Sequence, residues 1–157
     1  MLIGEQPGDQ EDQKGIPFSG PAGRLLDEGL AEAGIRRDEV YITNAVKHFK
    51  WLARGKRRLH QKPNGREISA CRPWLVAELE AIRPRILVCL GATAARAVLG
   101  RVTKISEHRG DLLESELGAR VIVTVHPSSI LRIEDADSRQ IAMRHFVHDL
   151  RRAHKAL

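Results

Sequence analysis

The chain has 157 residues, 42% hydrophobic and 29% charged, with 26 basic and 20 acidic side chains. This is the composition and length of one soluble globular domain, and no apolar run is long enough to span a bilayer, nor is there a secretory signal pattern. Two cysteines cannot build a disulfide framework, so a cytoplasmic protein is expected, with a core resting on Leu, Ile, Val and Ala because aromatics make up only 4%.

In chain order, Leu2-Ile3 reads as the end of a buried strand that opens at once into a Gly/Pro-rich loop, residues 4 to 21. A core strand without a lead-in is expected where the start site is placed late or the chain is N-terminally truncated. Ala22, Leu25, Leu26, Leu30 and Ala33 share one helical face, and Gly34 is a stop signal. Val40-Tyr41-Ile42-Thr43 is a second strand. A basic loop, 47–66, follows. Ile68, Cys71, Leu75, Leu79 and Ile82 mark a helix ended by Pro84. Arg85 to Leu90 is an apolar strand with little alternation, as expected when both faces are covered. Gly91-Ala92-Thr93 turns into a small-residue helix ending near Gly100. Strands at Asp111–Leu113 and Arg120–Val125 precede a last helix with Met143, Phe146, Val147, Leu150 and Leu157 on one stripe. His145, His148 and His154 lie along that helix and read as solvent-facing. The alternation of strand and helix predicts an α/β domain spanning 1–157, a parallel sheet with helices on both faces.

The basic loop is the most informative segment. Lys47, Lys50, Arg54, Lys56, Arg57, Arg58, Lys62 and Arg66 are accompanied by no acid, and without them 18 basic residues face 20 acidic ones. The positive charge is local, which suits a polyanion held in one place. His60 puts a base, acid or nucleophile where that polyanion would lie. In a parallel sheet the site lies beyond the carboxyl ends of the strands. Those ends carry Glu5 and Gln6, Asn44, Gly91 and His126.

Each piece also has an ordinary use. Gly4-Glu5-Gln6-Pro7-Gly8 is either a turn whose amides face a ligand or a plain strand-to-loop turn, and the acidic 9–12 stretch reads as solvated loop. Phe18 either stacks on a base or staples into the core. Asn44 either reads a base edge or caps a turn. His126 either stabilises a developing anion or is structural, while Ser128 and Ser129 offer hydroxyls to a phosphate. Cys71 and Cys89 read as core residues.

The ordered set GEQPGDQED (4–12), PFSGPAGRLLD (17–27), TNAVKHFK (43–50), KRRLH (56–60), ACRPWL (70–75), LGATAA (90–95) and HPSSIL (126–131) resembles the uracil-DNA glycosylase superfamily. More narrowly, it resembles the UdgX-type branch close to the iron–sulfur family 4 enzymes. Gln6 in place of Ala and the insertion carrying His60 point to that branch. The resemblance implies a three-layer α/β/α sandwich around a four-stranded parallel sheet, acting as a monomer on uracil-containing DNA near the nucleoid. Single-stranded DNA would be preferred. Gly4, Gln6, Pro7, Gly8 and Asp9 would hold base and sugar, Phe18 would stack on uracil and Asn44 would bond its edge. His126 would stabilise the uracil anion. Lys56, Arg57 and Arg58 would contact the DNA backbone. His60, oriented by Glu5, would attack the sugar and leave a covalent DNA adduct. The alternatives are a conventional, turning-over glycosylase and a non-catalytic damage-sensing module.

The resemblance also implies a [4Fe–4S] cluster. Cys71 matches a ligand position and His48 stands where family 4 has Cys. The remaining Cys-x-x-Cys pair would lie upstream of this chain, so two of the four ligands a cluster takes are not in it.

Overall fold

A computed structural model describes residues 1–157. Its elements, in order, are β1 (Leu2–Gly4), α1 (Asp9–Lys14), α2 (Pro21–Ala33), β2 (Ile42–Asn44), β3 (Trp51–Arg54), β4 (Arg57–His60), α3 (Gly65–Ile82), β5 (Ile86–Leu90), α4 (Ala92–Leu99), α5 (Ile105–His108), β6 (Leu112–Glu114), β7 (Arg120–Thr124), α6 (Pro127–Leu131) and α7 (Ala136–Lys155). The main sheet has the order β2-β1-β5-β7-β6.

β2, β1, β5 and β7 run parallel, as expected from the sequence. The fifth strand extends the four-stranded expectation. β6 pairs antiparallel with β7, with Leu112 opposite Ile122. Its direction follows from the short Ser115–Ala119 connection, since a parallel neighbour needs a crossover of a dozen residues or more.

Side-chain alternation builds two cores, one on each face of the sheet. Leu2, Ile86, Val88, Leu90 and Ile122 point toward α2 and α7, where Leu26, Leu30, Phe146 and Leu150 meet them. Ile3, Leu87, Cys89, Val121 and Val123 point the other way, onto Ile68, Cys71 and Leu75 of α3 and Ala94, Ala95 and Val98 of α4. The period of two within β5 therefore feeds both layers, and all five of its residues are buried. Burial pushes the Cys89 thiol up to about 12, which makes it an inert packing group.

The helix signals hold. Gly34 closes α2 in a left-handed conformation, and α3 stops one turn-residue before Pro84, with Arg83 at φ 49°. His145, His148 and His154 are exposed on α7. Leu157 leaves the expected stripe, lying beyond α7 and half exposed. Two segments read as loop, and the stretch after the last parallel strand, have regular structure. The acidic 9–12 stretch opens α1, whose first turn carries Asp9, Glu11 and Asp12 where negative charge complements the helix dipole. His126-Pro127 starts α6, with Pro at the first helical position. The middle of the basic segment is the β3–β4 hairpin. No helix is long and apolar enough to cross a membrane.

Candidate active site

The carboxyl end of β1 delivers Gly4 and Glu5. Their carbonyls accept from the amides of Ala45 and Val46, both at 2.9 Å, so the chain after β2 fixes the backbone here. The two Glu5 oxygens then separate. Oε1 lies 3.2 Å from Nε2 of His60. Oε2 accepts the Thr93 hydroxyl at 2.5 Å. Thr93 is buried in the first turn of α4, whereas the His60 side chain is half exposed. A buried hydroxyl, a carboxylate and an accessible imidazole thus form one chain.

His60 closes a hairpin that has no sheet to join. Residues Gly55 and Lys56 make its two-residue turn, with Gly55 at φ 59°, the sign that a type II′ turn requires at its first position. A lone two-stranded hairpin is marginal in water, so the body of the protein must hold it. Gln6 does so at the neck. Its Oε1 accepts from the Lys50 amide at 3.0 Å, and its Nε2 donates to the Gln61 carbonyl at 3.0 Å and, more weakly, to that of Lys50 at 3.4 Å. Arg58 does so along the strand. It bonds Asp9 at 2.5 Å and Asp12 at 2.7 Å, and its guanidinium lies over the rings of Phe49 and Trp51 at 5.2 and 5.6 Å. Gln6 and Asp9, expected to hold base and sugar, are engaged with the hairpin here.

A second cluster gathers around Gly4. Phe18, at φ 56°, stacks against His126 with ring centroids 5.6 Å apart. A Cβ at position 4 would collide with Oδ1 of Asn44 and sit 2.8 Å from the Phe18 ring, so glycine is what lets these groups close around β1. The Asn44 residue is 5% exposed. Its carbonyl accepts from Lys47 Nζ at 2.8 Å, while its side-chain amide has no protein partner. Pro7 and Gly8 continue the turn, and Gly8 becomes the N-cap of α1.

His126 is held in one orientation and one tautomer. Its Nδ1 accepts the Ser128 amide at 3.2 Å and meets the Ser128 hydroxyl at 2.8 Å. Because Nδ1 accepts, the neutral ring carries its proton on Nε2. Ser129 Oγ donates to the His126 carbonyl at 2.7 Å. Both hydroxyls that the sequence offers to a phosphate are therefore engaged with His126. Burial lowers the His126 pKa to about 4, with Glu5 opposing and Arg132 and His60 reinforcing the shift. At neutral pH this imidazole is an uncharged Nε2–H donor.

The basic segment divides. Lys47 pairs with Glu78 at 2.6 Å, Lys50 with Glu67 at 2.9 Å, and Arg58 with Asp9 and Asp12. Arg54, Lys56, Arg57, Lys62 and Arg66 make no ion pair, and Arg54, Lys56 and Arg57 are exposed. Of the three cations expected on a DNA backbone, Lys56 and Arg57 are free at the hairpin tip and Arg58 is neutralised.

His48 and Cys71 do not assemble a metal centre with other residues. No group of three or more His, Cys, Asp or Glu converges. Cys71 Sγ accepts the Lys47 amide at 3.4 Å inside the α3 core, and His48 is exposed. Two donors do not fit a four-ligand cluster.

Thr93 was not singled out by the sequence; its signal was a hydroxyl just past the Gly91 turn at a strand exit. Asp149 was also missed. It is buried on α7 and accepts from Thr124 Oγ1 at 2.6 Å and Arg109 at 2.8 Å, bracing β7 two residues before His126.

This geometry coincides with a family match. Residues 1–151 match the profile described as the uracil DNA glycosylase superfamily. The type-4 uracil-DNA glycosylase of Thermotoga maritima is 40% identical over 144 residues, 91% of this chain and 71% of that protein. Those of Archaeoglobus fulgidus and Pyrobaculum aerophilum are 40% and 34% identical over 138 and 139 residues. They match 83% and 84% of this chain and 66% and 67% of their own lengths. The chain thus spans about two thirds of the length of these relatives. The chain belongs to the uracil-DNA glycosylase superfamily.

Proposed function

We propose that this chain excises uracil from DNA, preferentially single-stranded, in the manner of the UdgX-type branch, and becomes joined through His60 to C1′ of the resulting sugar. The observation that carries this is the His60–Glu5–Thr93 chain, which couples an accessible imidazole on the inserted hairpin to a carboxylate at the end of β1.

The target nucleotide leaves the base stack or arrives unpaired. Phe18 packs against the uracil ring, and the unpartnered Asn44 amide bonds the uracil edge, donating to O4 and accepting from N3–H, a pattern cytosine cannot match. As the C1′–N1 bond breaks, its electron pair moves onto uracil. The neutral His126 Nε2–H donates to O2, where negative charge collects. The sugar becomes oxocarbenium-like. The free ring nitrogen of neutral His60 supplies the pair that forms the new N–C1′ bond. Positive charge on that ring is stabilised by Glu5, which bonds the other N–H. Uracil leaves as an anion and takes its proton from water.

A turning-over glycosylase is the second reading, favoured by the curated relatives, which bear the name type-4 uracil-DNA glycosylase. There His60 is only a contact and water captures C1′. Incubation with a uracil-containing single strand, followed by a denaturing gel and assay of free uracil, separates the two. Uracil release with a slow-migrating protein–DNA band supports attachment. Release without the band supports turnover, and neither product means the chain is not a glycosylase.

A further inference from the structure

Arg66 and Arg96 come from different helices and face one open notch of about 740 Å³. Its other lining residues are Asn64, Gly65 and Ser69, and none is hydrophobic. Neither guanidinium takes part in any ion pair of the structure. The acid on this turn of α3 is already used. Glu67 Oε2 accepts the Asn64 amide at 2.7 Å and Lys50 Nζ at 2.9 Å, and the Asn64 side chain caps the Glu67 amide at 3.0 Å. The positive character of the notch therefore rests on its two guanidiniums rather than on an open helix end. Gly65 makes room for one of them, since a Cβ there would lie 2.8 Å from Nη2 of Arg96.

Two unneutralised guanidiniums around one concavity favour an anion between them. Their planar forks match phosphate oxygens, and the Ser69 hydroxyl adds a neutral donor. A lining without aromatic or aliphatic groups gives a base nothing to stack on, so the chemistry selects backbone rather than base.

The notch is also tied to the candidate site from both walls. Asn64 follows His60 by four residues, so the chain places it within roughly 14 Å even if fully extended. Arg96 lies one helical turn beyond Thr93, whose hydroxyl holds Glu5. At about 3.4 Å per stacked nucleotide, the notch is a few nucleotides from a sugar at His60.

We propose that the notch formed by Arg66, Ser69 and Arg96 is a phosphodiester subsite that holds the DNA strand flanking the reacting nucleotide. This rests on the DNA-glycosylase reading above.

The test compares the full chain with the Arg66→Gln/Arg96→Gln variant, with affinity read on single strands carrying a non-cleavable 2′-fluoro uracil nucleotide. One strand is just long enough for the site and the other is extended on both sides. The extended strand is also made with a single neutral methylphosphonate walked along it. The ratio of long-strand to short-strand affinity should fall about tenfold in the variant, and the slope of log K against log salt should shrink by roughly 0.7 for each phosphate no longer neutralised. One methylphosphonate position should weaken the wild type by a similar factor and leave the variant unaffected. Inorganic phosphate at millimolar concentration should not substitute for the extended strand. If that ratio does not change, or if no methylphosphonate position loses its effect in the variant, the subsite is overturned. Competition by free phosphate that abolishes the long-strand advantage would likewise reassign the notch to a free anion. Uracil release by the wild type is read in parallel on the matching cleavable strand, so failure of the glycosylase reading is seen separately from failure of the subsite.

Discussion

Oε1 of Glu5 lies 3.2 Å from Nε2 of His60, joining the end of the first strand to the last residue of the β3–β4 hairpin. The remaining Glu5 oxygen is held by Thr93, so the carboxylate cannot rotate away from the imidazole without breaking a second bond. The candidate nucleophile is accessible because it sits on a hairpin, and oriented because Glu5, itself held by Thr93, meets its ring.

Thr93→Val keeps the shape of the side chain and removes the hydroxyl. Hydrogen bonds to charged groups contribute about 1.5–3 kcal/mol, so the rate of adduct formation should fall roughly tenfold to a hundredfold, at about 1.4 kcal/mol per decade. Thr93→Ser should recover most of it. Single-turnover gels of the two variants check this; equal rates for Val and wild type would remove Thr93 from the chain.

Asn44→Ala removes a buried side-chain amide that has no protein partner beside Phe18 and Gly4. Without its paired hydrogen bonds to the uracil edge, uracil release should drop about tenfold to a hundredfold. The thermal midpoint should shift by no more than a few degrees, because no intramolecular side-chain bond is broken. Release assays and thermal melts measure both.

The hairpin cations should divide into two behaviours. Lys56→Ala and Arg57→Ala, at the free tip, should weaken single-strand binding and reduce the log K versus log salt slope by roughly 0.7 each. Arg58→Ala should instead loosen the hairpin from Asp9 and Asp12, which is read as faster proteolysis between β3 and β4 and slower adduct formation. A uniform salt effect across all three would contradict the division.

His126 sets a pH dependence of stability. Its folded pKa, about 4, lies below the ordinary 6.5 because burial disfavours the charged ring. Between those values the unfolded chain binds the proton and the folded one does not, so stability falls as pH drops from 6.5 toward 4. A shift of this size corresponds to about 3 kcal/mol at most. Urea unfolding at pH 7 and pH 4.5 should show a smaller acid loss in His126→Asn than in the wild type; equal losses would mean the ring is not desolvated.

Much of this was legible in the sequence because it follows local rules. The run Arg85 to Leu90 marked a doubly covered strand, Gly34 and Pro84 ended helices where expected, and the strand exits carried Glu5, Asn44 and His126 to one edge of the sheet. What stayed hidden depends on partners distant in sequence. Arg58 looked like the centre of a polyanion grip, and only the fold brings Asp9 and Asp12 to it. Gln6 looked like a ligand contact, and only the hairpin neck reveals what its amide bonds. Ser128 and Ser129 turn back onto His126 because Pro127 starts a helix there. The β6 strand was readable as a strand, but its edge position and direction depend on the length of the connection to β7.

Attachment through His60 is tested most directly by digesting the protein–DNA product and locating the deoxyribose remnant by tandem mass spectrometry. The remnant should lie on the His60 imidazole, and His60→Ser should form no adduct while still releasing uracil, with water entering the vacated space. A remnant on another residue, or uracil release by the wild type with no modified peptide, would contradict it.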